Sequence, residues 1–174
     1  DPAQADDIAW ALPYTAQLNQ NLVVNGDFED GELGVAHSFT EVDDVAVSGW
    51  DNDGPATVIG YEQAGVQADV GFPNYHTDPV PDDRGEAFYF AHGQGTTTQT
   101  IDLSLLAPLT DTGAARVRFA ADLGGYIDQD DHIRAAVVFL DAAGRELSRE
   151  ELERVDVQAR QGRTGFIHRS TQGT

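Results

Sequence analysis

The chain contains no cysteine, no methionine and no lysine; all ten of its basic residues are arginine. Without cysteine there can be no disulfide, no thiolate zinc site and no cysteine nucleophile. Bases are scarce: 10 stand against 30 acids, for a formal net charge of -20. A surface this negative repels phosphate backbones and anionic membranes, which argues against nucleic-acid or membrane partners. It attracts cations, calcium above all, because calcium takes hard oxygen ligands. A solvated acidic surface serving solubility is the plainer account of the same excess. No apolar run approaches the roughly 20 residues of a membrane span. The strong catalytic signatures are missing too: no Gly-x-Ser-x-Gly, no His-Glu-x-x-His, no phosphate-binding loop. The five histidines, His37, His76, His92, His132 and His168, are scattered. A paired-acid glycosidase is not excluded by composition, since 30 acids form pairs by chance.

What is present is enough for one domain. The 174 residues are 40% apolar, close to the usual globular share. The chain opens at Asp1 with neither methionine nor leader, which reads as a processed form. Residues 1–20 read as an extension, with a helical turn after Asp6-Asp7, ended by Pro13 and anchored by Trp10 and Tyr14. From Asn21 onward β signals dominate. Leu22-Val23-Val24 is closed by the turn pair Asn25-Gly26, and Asp51-Asn52-Asp53-Gly54 marks another turn. Thr57–Tyr61, Ala87–Phe90, Thr96–Leu103 and Thr164–His168 read as strands. Alternation is clearest at Ala115–Leu123 and Ile133–Leu140. Val117, Phe119 and Ala121 oppose Arg116, Arg118 and Ala120; Ile133, Ala135, Val137 and Phe139 oppose Arg134, Ala136, Val138 and Leu140. Asp141–Gly144 is a hairpin turn, with the return strand starting at Glu146-Leu147. Ser148-Arg-Glu-Glu151 has capping-box form and reads as a helical turn or a loop. Residues 62–84 carry Pro73, Pro79 and Pro81 and read as a long loop. Short strands separated by Gly, Asp and Pro corners predict an all-β, antiparallel β-sandwich or jelly roll over residues 21–174.

Asn21-Leu-Val-Val-Asn-Gly-Asp-Phe-Glu-Asp-Gly31, followed by Ser48-Gly-Trp50, resembles the opening of carbohydrate-binding modules of the family 4/9/22 kind, within the galactose-binding-like superfamily. Glu86-Ala-Phe-Tyr-Phe90 and Thr98-Gln-Thr-Ile-Asp102 are similar to two later strands of those modules. Gly124-Gly-Tyr-Ile-Asp-Gln-Asp-Asp131, then Phe139-Leu-Asp-Ala-Ala-Gly144, resembles secreted bacterial members and the sugar-binding domain of glycoprotein-recognising F-box proteins. The resemblance spans about residues 21–174. It implies a non-catalytic carbohydrate-binding or adhesion module of a secreted or cell-surface protein, whose partner is a glycan or polysaccharide. Such domains usually run past a Gly-Thr step into further strands, whereas this chain stops at Gln172-Gly173-Thr174. That departure suggests a processed fragment, its last strand supplied by a second chain or segment through strand addition. In that case the domain is a structural or interaction element without glycan binding.

The resemblance also implies a structural calcium ion, with Glu29 as a ligand and an Asp beyond Thr174 completing the site. Asn25, Asp27, Glu29, Asp30 and Glu32 cluster around Gly26 and Gly31, and glycines let backbone carbonyls turn inward. The metal candidates are Asn25, Asp27 and Glu29. The alternative is that Asn25 and Asp27 cap turns and Glu29 is merely exposed. Asp128, Asp130 and Asp131 form a second, weaker cation candidate. A sugar site needs an aromatic platform with flanking polar groups. Tyr75 and His76 in the long loop, and Tyr126 beside Gln129 in the Gly-Gly-Tyr turn, are the ligand-binding candidates. Packing is an equal reading for the two tyrosines. Trp50 reads as a plug in the core.

Overall fold

The computed structural model describes residues 18–38, 41–61, 72–73, 78–113 and 115–173. The expected N-terminal helical turn, with Trp10 and Tyr14, lies outside them.

Among the described residues ten strands form: β1 (Ala36–Ser38), β2 (Glu41–Val42), β3 (Asp51–Asp53), β4 (Ala56–Gly60), β5 (Ala87–Ala91), β6 (Thr96–Thr98), β7 (Val117–Gly125), β8 (Ala136–Leu140), β9 (Glu146–Glu151) and β10 (Gly165–Gly173). The single α-helix among the described residues, α1 (Ala107–Thr110), follows a 3-10 turn at Ser104–Leu106. The chain is therefore all-β. Its strands pair two by two and antiparallel: β1 with β2, β3 with β6, β4 with β5, β7 with β10, and β8 with β9. No described helix is long and apolar enough to cross a membrane.

Apolar side chains decide these pairings. β4 is buried at every position, and its register sets Val58 against Tyr89 and Ile59 against Phe88. Ala36, Ile59, Tyr61, Phe72 and Phe88 form one core cluster, with Phe90 and Phe166 packed on it. The ring of Phe88 meets Phe166 edge-on, 5.9 Å between centroids, which ties the β4–β5 pair to β10. Successive strand residues point to opposite faces. Phe166 therefore serves this cluster while Ile167 packs on another, built from Leu123, Leu152 and Val155. The β7–β10 ribbon thus has apolar neighbours on both faces. The third cluster is Val47, Val58 and Ala87, with Phe28, Trp50 and Tyr89 against it.

Most expected strands are present, with shifted ends. Thr96–Leu103 is shorter than its β-branched content suggests, because pairing with β3 ends at Thr98. Beyond it the Asp102 carboxylate accepts the Ser104 N–H at 2.8 Å and opens the 3-10 turn. The helical turn or loop expected at Ser148–Glu151 is instead strand: β9 runs through it, with Ser148 opposite Phe139 and Glu151 opposite Ala136. The hairpin overrides the capping pattern. Asp141 Oδ1 accepts the N–H groups of Ala143 and Arg145, at 2.8 and 3.0 Å, and fixes the turn that feeds β9. Ile133–Ala135 alternates in burial but does not join β8. Leu22–Val24 lies in an irregular segment, and Val24 is 60% exposed.

Candidate functional site

The segment from Asn25 to Gly31 is braced by one side chain. Asn25 is buried and holds a positive φ of 47°, a conformation asparagine tolerates better than most residues. Its Nδ2 donates to the carbonyls of Ser48 (2.8 Å) and Asp30 (3.1 Å), and its Oδ1 accepts the Asp30 N–H at 2.9 Å. The Asn25 carbonyl accepts the indole N–H of Trp50 at 3.2 Å. Glu29 Oε1 accepts the Ala87 N–H at 2.9 Å and so pins the segment to the start of β5. Asp27 is exposed. The calcium candidates engage the backbone in this arrangement. The Asn25 amide is committed to the backbone, and Glu29 is turned toward Ala87. Among the described residues no three His, Asp or Glu side chains are gathered to hold an ion. This geometry matches the turn-capping alternative for Asn25.

That bracing orients Trp50. The indole is half-buried against Val47, Val58 and Ala87, with the Phe28 ring 5.9 Å away, tilted by 30°. Gln99 holds the neighbouring backbone: its Oε1 accepts the Val24 N–H at 2.8 Å, and its Nε2 donates to the carbonyls of Val24 (3.0 Å) and Gly49 (2.7 Å). A second polar chain runs across β3 and β6: the Tyr89 hydroxyl bonds Thr97 Oγ1 at 2.7 Å, which donates to Asn52 Oδ1 at 2.6 Å. Gly54, at φ +131°, lets the β3 end approach Gly95 more closely than any Cβ would allow.

Two clefts flank the indole. One, of about 400 Å³, is lined by Gly49, Trp50, Asp51, Thr98, Gln99 and Thr100. The other, of about 370 Å³, is bordered by Asp44, Val47, Trp50, Asp51, Asn52 and Ala56 among others. Both are shallow and largely open to solvent. Trp50 and Asp51 are common to the two. Trp50 therefore packs on the core on one side, in line with the plug reading, and borders both clefts on the other. The Ser-Gly-Trp step marked the residue in the sequence. In the first cleft Thr98, Gln99 and Thr100 come from about 50 residues away and left no local signal, whereas the second is lined by residues 44–56 alone.

Tyr126 and Gln129 do come together, in the turn after β7, where the Gln129 N–H donates to the Tyr126 carbonyl at 3.0 Å. Arg160 organises this turn. Its buried guanidinium donates to the carbonyls of Ile127 (3.0 Å), Arg163 (3.0 Å) and Gln129 (2.7 Å), and pairs with Asp131 at 2.9 Å. Gly125 is required beneath it, since a Cβ there would lie 2.7 Å from the guanidinium carbon. Asp131 also accepts the Tyr126 N–H, and Asp130 pairs with Arg154 at 2.7 Å. Of the second cation candidate, Asp128, Asp130 and Asp131, the last two are thus each paired with an arginine. Tyr126 is half-buried and Gln129 exposed. Tyr75 and His76 lie outside the described residues. No family model, curated protein or solved structure matches the chain.

Proposed function

We propose that the chain is a non-catalytic carbohydrate-binding or adhesion module, built as a β-sandwich and acting in a secreted or cell-surface protein. The observation that carries this reading is the Trp50 indole, fixed by its bond to Asn25 and standing between two clefts with Asp51, Asn52, Thr98 and Thr100 around it. Sugar rings offer a C–H face to an aromatic plane and hydroxyls to polar neighbours, so a fixed indole with such a rim suits a saccharide. An immobilised side chain also loses little entropy on binding. The resemblance of Asn21–Gly31 and Ser48–Trp50 to carbohydrate-binding modules points the same way.

Retention on a panel of immobilised polysaccharides tests the reading, with intrinsic tryptophan fluorescence as a second readout. We expect retention, and a spectral change from the half-buried Trp50. A chain that binds no polysaccharide in the panel sinks the proposal. Tyr126→Ala separates the two candidate places. Unchanged binding excludes the Tyr126–Gln129 turn and leaves the Trp50 clefts as the described candidate, and lost binding puts the sugar at the turn.

A further inference from the structure

The β7–β10 ribbon leaves one long edge free. Its strands pair over their full length, Val117–Gly125 against Gly165–Gly173. Among the described residues no other strand pairs with β7, and no turn or loop backbone bonds to it. The register with β10 has no bulge, and β7 holds no proline. A long, regular edge of this kind is a template for a further strand. The exposed face of β7 carries Arg118, Ala120 and Asp122. Asp122 meets His168 across the ribbon, Oδ1 to Nδ1 at 3.3 Å. Arg118 stands opposite Gln172 and pairs with no acid among the described residues, in a chain of 30 acids and 10 bases. Charges on an edge strand ordinarily keep other strands away. Here the two charges have opposite signs and flank Ala120 symmetrically.

We propose that the free edge of β7 is a dimer interface, pairing antiparallel with β7 of a second copy about a two-fold axis through Ala120. Backbone groups point to a given edge at every second residue, so a regular ladder between identical edges is centred on a residue. Centring on Ala120 alone sets the two charged residues of β7 against each other. Arg118 then faces Asp122 of the second copy, and Asp122 faces its Arg118, with Ala120 against Ala120 between them. On the other face the same register sets Phe119 against Ala121 and Val117 against Leu123, large beside small. Opposite charges directly across a ladder are favourable, and like charges there are not. A centre on Ala121 would leave Arg118 opposite Gly124 and Asp122 opposite Ala120. One on Phe119 would set ring on ring and Arg118 against Ala120. A single strand edge is a small interface, so the dimer is weak, with a Kd of about 10–100 µM. The net charge of -20 on each copy opposes association, and salt above about 0.15 M screens that repulsion beyond roughly 8 Å while leaving the ladder contacts. This interface is independent of the carbohydrate reading.

Sedimentation velocity of the 174-residue chain from about 1 to about 500 µM, in about 0.3 M sodium chloride, tests this. A reversible monomer–dimer equilibrium is expected. Arg118→Asp alone and Asp122→Arg alone each set like charges against each other at two places in the ladder, and each should raise Kd at least about tenfold. An equimolar mixture of the two variants should dimerise again, because one chain then brings two acids to the ladder and the other two arginines. The double exchange, Arg118→Asp with Asp122→Arg, should dimerise as the parent does. It keeps the net charge, so recovery there separates pairing from a loss of fold. A parent chain that stays monomeric throughout overturns the proposal. So do single variants that dimerise as well as the parent, and a loss that neither the mixture nor the double exchange recovers. Open-ended growth beyond a dimer would mean unspecific edge association and would overturn it too.

Discussion

Two buried polar side chains, Asn25 and Arg160, do much of the work of shaping the loops. Asn25→Asp keeps the Oδ1 acceptor and the tolerance for a positive φ, but removes the donors to Ser48 and Asp30. A buried carboxylate would then face two carbonyls. The expected loss is about 2 kcal/mol of unfolding free energy in urea titration. Trp50 fluorescence should shift as well, since the same residue's carbonyl holds the indole. The segment closes through its own hydrogen bonds, so a melting temperature unchanged by EDTA is expected if those bonds alone hold it, and a clear drop would place calcium at this site. Arg160→Met keeps most of the side-chain length but strands three carbonyls and Asp131. We expect a loss of about 3 kcal/mol by the same measurement, because a buried hydrogen-bonded charge is removed from its partners. If Arg160→Met is as stable as the parent, the turn does not depend on its guanidinium.

At the scale of elements, turn chemistry was legible and pairing was not. Asp141 followed by Gly144 announced the β8–β9 hairpin, and the alternation in Ala115–Leu123 announced β7, because a two-residue period and a turn residue are local signals. Ser148–Glu151 misled because its capping box is also local, whereas the hairpin register that overrules it is not. The 3-10 turn and α1 went unread, although Asp102 two residues before Ser104 and Pro108 in the first turn of α1 were in view. The first Trp50 cleft depends on Thr98–Thr100 meeting Trp50, a contact no short pattern encodes. The turn carboxylates carry a pH prediction. Asp102 is held below its ordinary 3.8 chiefly by the Ser104 N–H, Asp141 by the backbone N–H of Arg145, and Asp156 by that of Ala159. Each folded value is lower than the unfolded one. Their stabilisation is therefore complete above the unfolded value and is lost as pH falls through the folded values. In acid titrations, Asp141→Asn should flatten the part of the unfolding curve below about pH 4 that the native chain shows. At the alkaline end, burial pushes Tyr61 up to about 12. Its contribution is intact below the unfolded value of 10.0 and lost as pH climbs toward the folded one. Phenolate absorbance should show one of the five tyrosines ionising late, together with unfolding.

Taken whole, the molecule combines an apolar interior with a strongly repulsive exterior. Among the described residues three small clusters make up the core, and the strands pair two by two. A surface of 30 acids and 10 arginines opposes compaction, since like charges are brought closer on folding than in the open chain. Several arginines are already engaged: Arg145 with Asp141, Arg149 with Glu146, Arg154 with Asp130 and Arg160 with Asp131. Three of these pairs are exposed and contribute little each, within about 1 kcal/mol. Screening acts on both terms in opposite directions. It weakens the few attractive pairs slightly, and it relieves the much more numerous repulsions among unpaired acids. The repulsions win on number, so the melting temperature should rise with sodium chloride from low salt to about 1 M, where the screening length shrinks to about 3 Å. Potassium chloride should do the same to a similar extent, because the effect is screening and not site binding. A melting temperature that falls with both salts would mean that the arginine pairs, and not acid repulsion, dominate the electrostatics of this fold.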